Sequence, residues 1–265
     1  MLSIHVDNPI ITWSGGKLIK DIKMNISREF EMEDLGAMHY CQGLEVWRDD
    51  RRTLITQIIY RNKVLKRFHM NGCKVVSTPL ELNIKMRSDE GTKEVNGTLY
   101  EELVGSINYL TTTRPNIVYA VSILSQFMAK PYEIHWIAAK RVLGYLKGTI
   151  NFGIEYTNDC NVKLTRYCDF DWVGNPNERK STIGYMFNVG SGVISCSSKK
   201  QPTGSLSSTE VEYKELCSAN CEAIWLRRIL EDIGKGQQEP RTNSVIIKAP
   251  SYWQTILYAM QGQSI

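Results

Sequence analysis

The run RYCDFDWVGNPNERKSTIGYMFNVGSGVISCSS, Arg166 to Ser198, decides the fold of the second half of the chain. Short β-prone runs, VKLTRYC, STIGYMFNVG and GVISCSS, are separated by Asn, Gly and Pro, the residues that turn a chain. FGIEY, just upstream, has the same texture. One long helix is expected next, from Thr209 to about Ile233, with Ser207 and Glu210 in capping-box spacing and Gly234 at its end. The second half therefore reads as a β meander followed by a helix, with a boundary near residues 150–160.

Upstream the texture is helical. Leu99, Leu103, Ile107 and Leu110 form one apolar stripe over 98–112. Pro115 suits the first turn of a second helix running to about Met128, and Pro131 opens a third, ended by Lys147-Gly148. Residues 81–97 read as a charged, irregular linker. Before them, residues 1–12 read as a short β-rich start. An amphipathic helix follows, with Leu18, Ile22, Ile26 and Phe30 on one face. MHYCQGLEVW reads as a strand, RDDRR as a turn and TLITQ as the partner strand; IIYRNKVLKRFHM reads as a helix with Tyr60, Val64, Leu65 and Phe68 inward. The fold class is α/β in the α+β sense.

The totals exclude several classes. With 265 residues and 42% apolar content the chain supports a real core, and its net charge of +4 is compatible with nucleic acid without demanding it. Seven cysteines, an odd number with no Cys-x-x-Cys pair, and four scattered histidines give no zinc pattern. They read as reduced thiols, most of them small core residues. The N-terminus lacks the pattern of a signal peptide, and the longest apolar runs fall far short of the roughly 20 residues that span a bilayer. A soluble protein in the cytoplasm or nucleus is expected.

The chemistry centres on Asp169 and Asp171, which alternation puts on one face of a strand. Two-metal phosphodiester hydrolysis needs several carboxylates converging on ions ~4 Å apart. Glu210 and Glu212, in the first turns of the long helix, are candidates to complete such a set. Each residue also has an ordinary reading, since Asp often precedes a turn and Glu is favoured by the helix dipole. Spacing alone leaves both readings open.

Resemblance adds to this. GSINYLTTTRPNIVYAVSILSQFMAKPYEIHWIAAKRVLGYLKGT closely resembles the connector between reverse transcriptase and RNase H in Ty1/copia-type retrotransposon polyproteins. YCDFDWVGNPNERKSTIGYMF, SSKKQPTGSLSSTEVEY and WLRRILEDIG look like that family's RNase H domain, and EFEMEDLGAMHYCQGLEVWRD with STPLE like the end of its polymerase region. The resemblance covers roughly residues 1–240. It implies a reverse transcriptase remnant over 1–80, a helical connector over 81–150, an RNase H-like domain over 151–240 and a separate tail over 241–265. It implies RNA–DNA hybrids as partners, other polyprotein chains, and Mg²⁺ or Mn²⁺ as cofactor. In the family's four-carboxylate cluster, Asp169 matches the first Asp and Glu212 the Glu of a Glu-Tyr dipeptide. These two are the implied metal ligands, with Asp171 as an accessory.

The sequence departs from the family pattern at both ends. The family's next Asp lies in a Cys-Asp-Asn strand shortly after Glu-Pro, but here no Asp or Glu follows Glu239. Read in the frame joining each codon's third base to the next two, permitted codons for Ser244 onward give CDNQSA and, further on, LLANNPV. Trp253-Gln254 and Met260-Gln261 each force Ala in that frame. A frameshift near Arg241–Asn243 is inferred. At the other end IHVDNPIIT resembles the polymerase hairpin that carries an aspartate pair. Asp7 matches the first aspartate, Asn8 replaces the second, and the segments expected before this hairpin are not in the sequence.

The remaining features have plainer readings. Arg179-Lys180, Lys199-Lys200 and Arg227-Arg228 are either solvated surface or phosphate contacts of a hybrid duplex. Glu215 adds negative charge near any metal site or faces water. Trp136, Trp225 and Tyr145 are expected in the core. Three readings stand: an active RNase H that recruits an unexpected carboxylate such as Asp171 or Glu215, a non-catalytic nucleic-acid-binding module co-opted by the host, and a decayed open reading frame with no selected function. The third is favoured.

Overall fold

Pro115 opens a 3-10 turn that runs directly into the expected helix, and Ile117 of that turn belongs to the protein's main core. In the computed structural model, which describes residues 2–5, 8–12, 16–81, 86, 93–158, 162–171, 182–200 and 208–236, this turn is Pro115–Ile117. Helices α1 (Gly16–Glu29), α2 (Ile58–Arg67) and α3 (Gly97–Leu110) come before it; α4 (Val118–Ser125) and α5 (Glu133–Gly148) come after. A long α6 (Ser208–Asp232) follows the last strands. Among the described residues there are nine strands: β1 (Leu2–His5), β2 (Asn8–Ile11), β3 (Tyr40–Cys41), β4 (Leu44–Arg48), β5 (Arg52–Thr56), β6 (Ile154–Thr157), β7 (Leu164–Asp171), β8 (Thr182–Val189) and β9 (Gly192–Lys200). This is the expected mixed α/β architecture, and among the described residues no helix is long and apolar enough to cross a membrane.

The core is helical. Apolar side chains of α2, α3, α4 and α5 form one buried cluster, with Leu103, Ile107, Leu124, Val142, Leu143 and Leu146 fully inside. Leu103, Ile107 and Leu110 of the expected stripe on α3 are buried; only its first residue differs. Tyr100 is the buried residue of the first turn, while Leu99 is 41% exposed. The reason is a hydrogen bond: the Tyr100 hydroxyl donates to the Leu124 carbonyl at 2.9 Å, pinning α3 to α4. Asn96 caps α3 by accepting from the Leu99 N–H at 3.0 Å. α4 stops at Ser125, short of Met128, because the N–H groups of Gln126 and Phe127 bond three residues back and tighten the turn.

The run expected as one strand, MHYCQGLEVW, is a hairpin. Gln42 and Gly43 both have positive φ, the geometry of a two-residue hairpin loop, so β3 and β4 pair antiparallel across them. The Tyr109 hydroxyl donates to the Gln42 carbonyl and ties this loop to α3. β5 pairs with β4 as expected. It also pairs with β6, with Ile55 opposite Ile154 and Arg52 opposite Thr157. FGIEY therefore completes the first sheet, in the order β3-β4-β5-β6, and does not join the meander that follows it. An ion pair from Arg52 Nη1 to Glu155 Oε2, 2.9 Å, spans the two strands.

The amphipathic α1 forms as expected, but none of its residues is buried and Phe30 beyond it is 66% exposed. The terminal hairpin also forms, with Pro9 opposite Ile4 on a two-stranded sheet. Pro9 has no N–H for the ladder, which an edge tolerates.

Candidate functional site

The second sheet is an antiparallel meander, β7-β8-β9, and α6 lies on it. Its register fixes where the candidate carboxylates sit. Asp169 is opposite Gly184, which is opposite Ser198; Asp171 is opposite Thr182, which is opposite Lys200. Both aspartates thus occupy the last turns of the ladder, at the end of β7 that runs towards residue 172. A register shift at Phe187/Asn188 in the β8–β9 pairing adds local twist away from that end.

α6 is held to the sheet by polar bonds around a small apolar contact. Arg166 Nη1 donates to Asn220 Oδ1 at 2.9 Å, and Ser195 Oγ donates to Glu222 Oε1 at 2.7 Å. Ala219, Leu226 and Leu230 are buried, as is Phe187 of β8, which lies opposite Arg166 and Ser195 and shares their face of the sheet; Met186 is buried on the other face. The helix ends where Gly234 takes positive φ, with the Lys235 N–H bonded to the Leu230 carbonyl at 2.7 Å and the Gly234 N–H to Glu231 at 2.9 Å. This is the expected glycine stop.

The two sheets meet at one corner. The Tyr156 hydroxyl of β6 donates to the Val193 carbonyl of β9 at 2.7 Å, and the Thr157 N–H donates to Ser191 Oγ at 2.8 Å. Burial pushes the Tyr156 hydroxyl up to about 12. α4 packs along β9, so the helical core and the meander share this side.

The structure places the candidates as follows. Asp169 and Asp171 are in β7, Lys200 in β9, and Glu210, Glu212 and Glu215 in the first half of α6. The side chains of these six lie outside the described residues. Asp7, Arg179, Lys180 and Ser207 lie wholly outside them, as does the tail from residue 237 onward. Lys199 is exposed on β9 opposite Ile183, and Arg228 is exposed on α6. Among the described residues no group of three or more His, Cys, Asp or Glu could hold a metal ion.

Two expectations about packing are corrected. Trp225 is 56% exposed rather than in the core, because α6 turns the adjacent Leu226 to the sheet and Trp225 falls a third of a turn away. Tyr145 is buried and Trp136 packs against the core. The five described cysteines are free, but none is buried: Cys217 and Cys221 are exposed on α6, and Cys41, Cys73 and Cys196 are half-buried.

Sequence reasoning did not single out Arg61, Arg114 and His135. All three are buried and polar. Arg114 donates to Asn116 Oδ1 at 3.3 Å and to the Thr149 carbonyl at 3.1 Å. Burial lowers its pKa to about 10. His135 Nδ1 accepts from the Tyr132 N–H at 3.0 Å, and its ring stacks on Phe127 with centroids 3.9 Å apart.

Comparison with known proteins places this geometry in context. Residues 1–82 match the family model for reverse transcriptase (RNA-dependent DNA polymerase). The chain is 37% identical over 225 residues to an uncharacterized mitochondrial protein of Arabidopsis thaliana, covering 84% of this chain and 93% of that one. It is 38% identical over 231 residues to the Retrovirus-related Pol polyprotein from transposon RE1 of the same plant, covering 87% of this chain and 16% of the polyprotein. It is 36% identical over 254 residues to the corresponding polyprotein from transposon TNT 1-94 of Nicotiana tabacum, covering 90% of this chain and 19% of that one. The chain thus spans less than a fifth of the Pol polyproteins it matches. No solved structure matches it.

Proposed function

On the premise that this chain belongs to the Pol polyprotein family of copia-type retrotransposons, we propose that it carries the end of a reverse transcriptase, a helical connector and an RNase H-like unit with an incomplete metal site. The observation that carries the RNase H-like reading is the order of elements after the connector. Three antiparallel strands, β7-β8-β9, are followed by one long helix packed on them, with Asp169 at the far end of the first strand and Glu212 as the fifth residue of the helix. The units proposed are 1–80, 81–150, 151–240 and 241–265. β6 lies just inside the third of these by sequence and pairs with β5 of the first.

The donor set suits a divalent hard cation. Asp169, Asp171 and Glu212 offer carboxylate oxygens, the ligands that Mg²⁺ or Mn²⁺ takes. Asp169 and Glu212 would hold the ion, with Asp171 as accessory. Bound there, it would activate water and neutralise charge on a scissile phosphate. The rest of the job falls to the chain itself. Lys199 and Lys200 on β9, with Arg179 and Lys180, would position the backbone of an RNA–DNA hybrid by its phosphates. Arg166 and Asn220 hold α6 on the sheet.

Two carboxylates and an accessory fall short of a four-carboxylate cluster. After Glu239-Pro240, where the family has Cys-Asp-Asn, this sequence reads Arg-Thr-Asn-Ser, and Asn8 stands beside Asp7 where the polymerase hairpin needs a second aspartate. The polypeptide is therefore proposed to be catalytically inactive in both respects while keeping the family's architecture. Purified protein incubated with an RNA–DNA hybrid in Mg²⁺ or Mn²⁺ tests this. Cleavage no greater than that of Asp169→Asn is expected; metal-dependent cleavage lost in that variant would show a working site.

A further inference from the structure

The buried turn between α3 and α4 concentrates positive charge. Arg61 on α2 and Arg114, just ahead of Pro115, are each 3% exposed, and both line one narrow cavity with Gln57, Thr113 and Phe152. Arg114 makes its hydrogen bonds to neutral groups, the Asn116 amide and the carbonyl and hydroxyl of Thr149. Its guanidinium lies over the rings of Phe152 and Tyr145, at 5.3 Å and 5.8 Å. Arg61 donates from Nη2 to Asn62 Oδ1 at 2.8 Å, while its buried Nε and Nη1 have no hydrogen-bond partner. Among the described residues neither arginine forms a salt bridge.

Among the described residues one carboxylate is near enough to matter. Glu45 attracts Arg61, but its Oε1 accepts from the Ile59 N–H at 2.6 Å and serves the start of α2. Gln57 is also committed, its Nε2 to the Tyr109 carbonyl and its Oε1 to the Thr113 hydroxyl. Two cations against one carboxylate leave a net positive charge in a desolvated place. Unpaired buried charge is strongly unfavourable, and so are donors left without acceptors. Arg61 and Arg114 repel one another, and burial lowers the pKa of both.

We propose that the cavity between Arg61 and Arg114 binds one small inorganic anion of the size and charge of chloride, held by Nε and Nη1 of Arg61 and balanced by the charge of Arg114. Size sets the class. The cavity has room for about one water-sized sphere, so chloride, somewhat larger, would press the lining outward by a few tenths of an ångström, while phosphate and carboxylate-bearing ligands are excluded. Ile150, half exposed, lines it at one side and marks the route to solvent. Water would satisfy the donors there but leave the charge uncompensated. This anion site lies in the helical part of the protein and is independent of the strand-end carboxylates.

The test uses the full chain. Crystals soaked in sodium bromide are expected to show an anomalous peak between the two guanidinium groups. At fixed ionic strength, replacing sodium gluconate by sodium chloride is expected to raise Tm with the logarithm of chloride concentration once Kd is passed. Arg61→Met is expected to abolish that chloride-specific rise. Should Arg61→Met fail to fold, the wild-type bromide peak decides alone. No peak between the arginines, or a Tm identical in the two salts, would overturn the proposal and assign the cavity to water.

Discussion

Asn116 Oδ1 lies 3.3 Å from Arg114 Nε, so a neutral amide faces a buried guanidinium where a carboxylate would neutralise it. The same side chain donates from Nδ2 to the Tyr145 hydroxyl at 2.6 Å. Asn116→Asp puts a charge-assisted bond on Arg114 and turns Tyr145 from acceptor to donor. Hydrogen bonds to charged groups contribute about 1.5–3 kcal/mol, so a gain of about that order in unfolding free energy is expected from urea titration. Asn116→Ala should destabilise instead. A loss of stability in Asn116→Asp would mean that Arg114 is already compensated.

His69 takes positive φ just beyond α2, with its N–H on Lys66 and the Met70 N–H on Leu65 at 2.8 Å. That is a left-handed helix stop occupied by a residue with a Cβ. His69→Gly relieves the strain at some cost in unfolded-chain entropy. A net gain of about 0.5–1 kcal/mol is expected, read as a higher Tm. An unchanged or lower Tm would show that the imidazole contributes more than the strain costs.

The sequence was legible where the signal is local. Prolines, Gly234 and the apolar spacing located α3, α5 and α6, and the alternating runs located β7 to β9. Non-local terms were not legible. β6 pairs with β5 across a hundred residues, and no local pattern distinguishes that from joining the nearer meander. Tyr100 displaced Leu99 from the core because of an acceptor on another helix. The Gln42–Gly43 loop was hidden inside an apolar run, where a Gly with a polar neighbour should have signalled a turn. Arg61 and Arg114 come together only in the fold. At the candidate site, Asp169 and Glu212 stood out through resemblance; strand and helix alone did not separate them from ordinary end residues.

Burial pushes the His135 imidazole below its ordinary value near 6.5, and its Nδ1 must stay unprotonated to accept from Tyr132. The folded state therefore holds a neutral ring while the unfolded chain takes up a proton below about pH 6.5. Stability from this source is fully present above that pH and is lost as pH falls through the depressed folded value. His135→Gln keeps an acceptor for the Tyr132 N–H and removes the titration. Its unfolding free energy is expected to fall less steeply between about pH 6.5 and 5 than that of the wild type; parallel slopes would count against a neutral buried His135.

Gly192 is where the two sheets touch. A Cβ there would stand 2.3 Å from the Tyr156 ring, whose hydroxyl is bonded to Val193. Gly192→Ala forces the corner apart, and overpacking of this kind costs about 1–3 kcal/mol. Faster amide exchange in β6 and β9 than in α3 is the expected signature. Uniform protection in both regions would show that the corner repacks freely.

The hybrid-cleavage comparison of two chains is the most direct measurement of the proposed incomplete site. One is the native chain; in the other, residues from 244 onward are replaced by the shifted-frame translation beginning Cys-Asp-Asn, which supplies the third carboxylate, carried on in that frame through the coding DNA beyond codon 265 to the fourth. In Mg²⁺, cleavage of an RNA–DNA hybrid is expected only from the exchanged chain, and is expected to vanish on Asp169→Asn. Cleavage by the native chain that depends on Asp169, or an exchanged chain as inert as the native one, would contradict the claim that the missing carboxylates lie in the other frame.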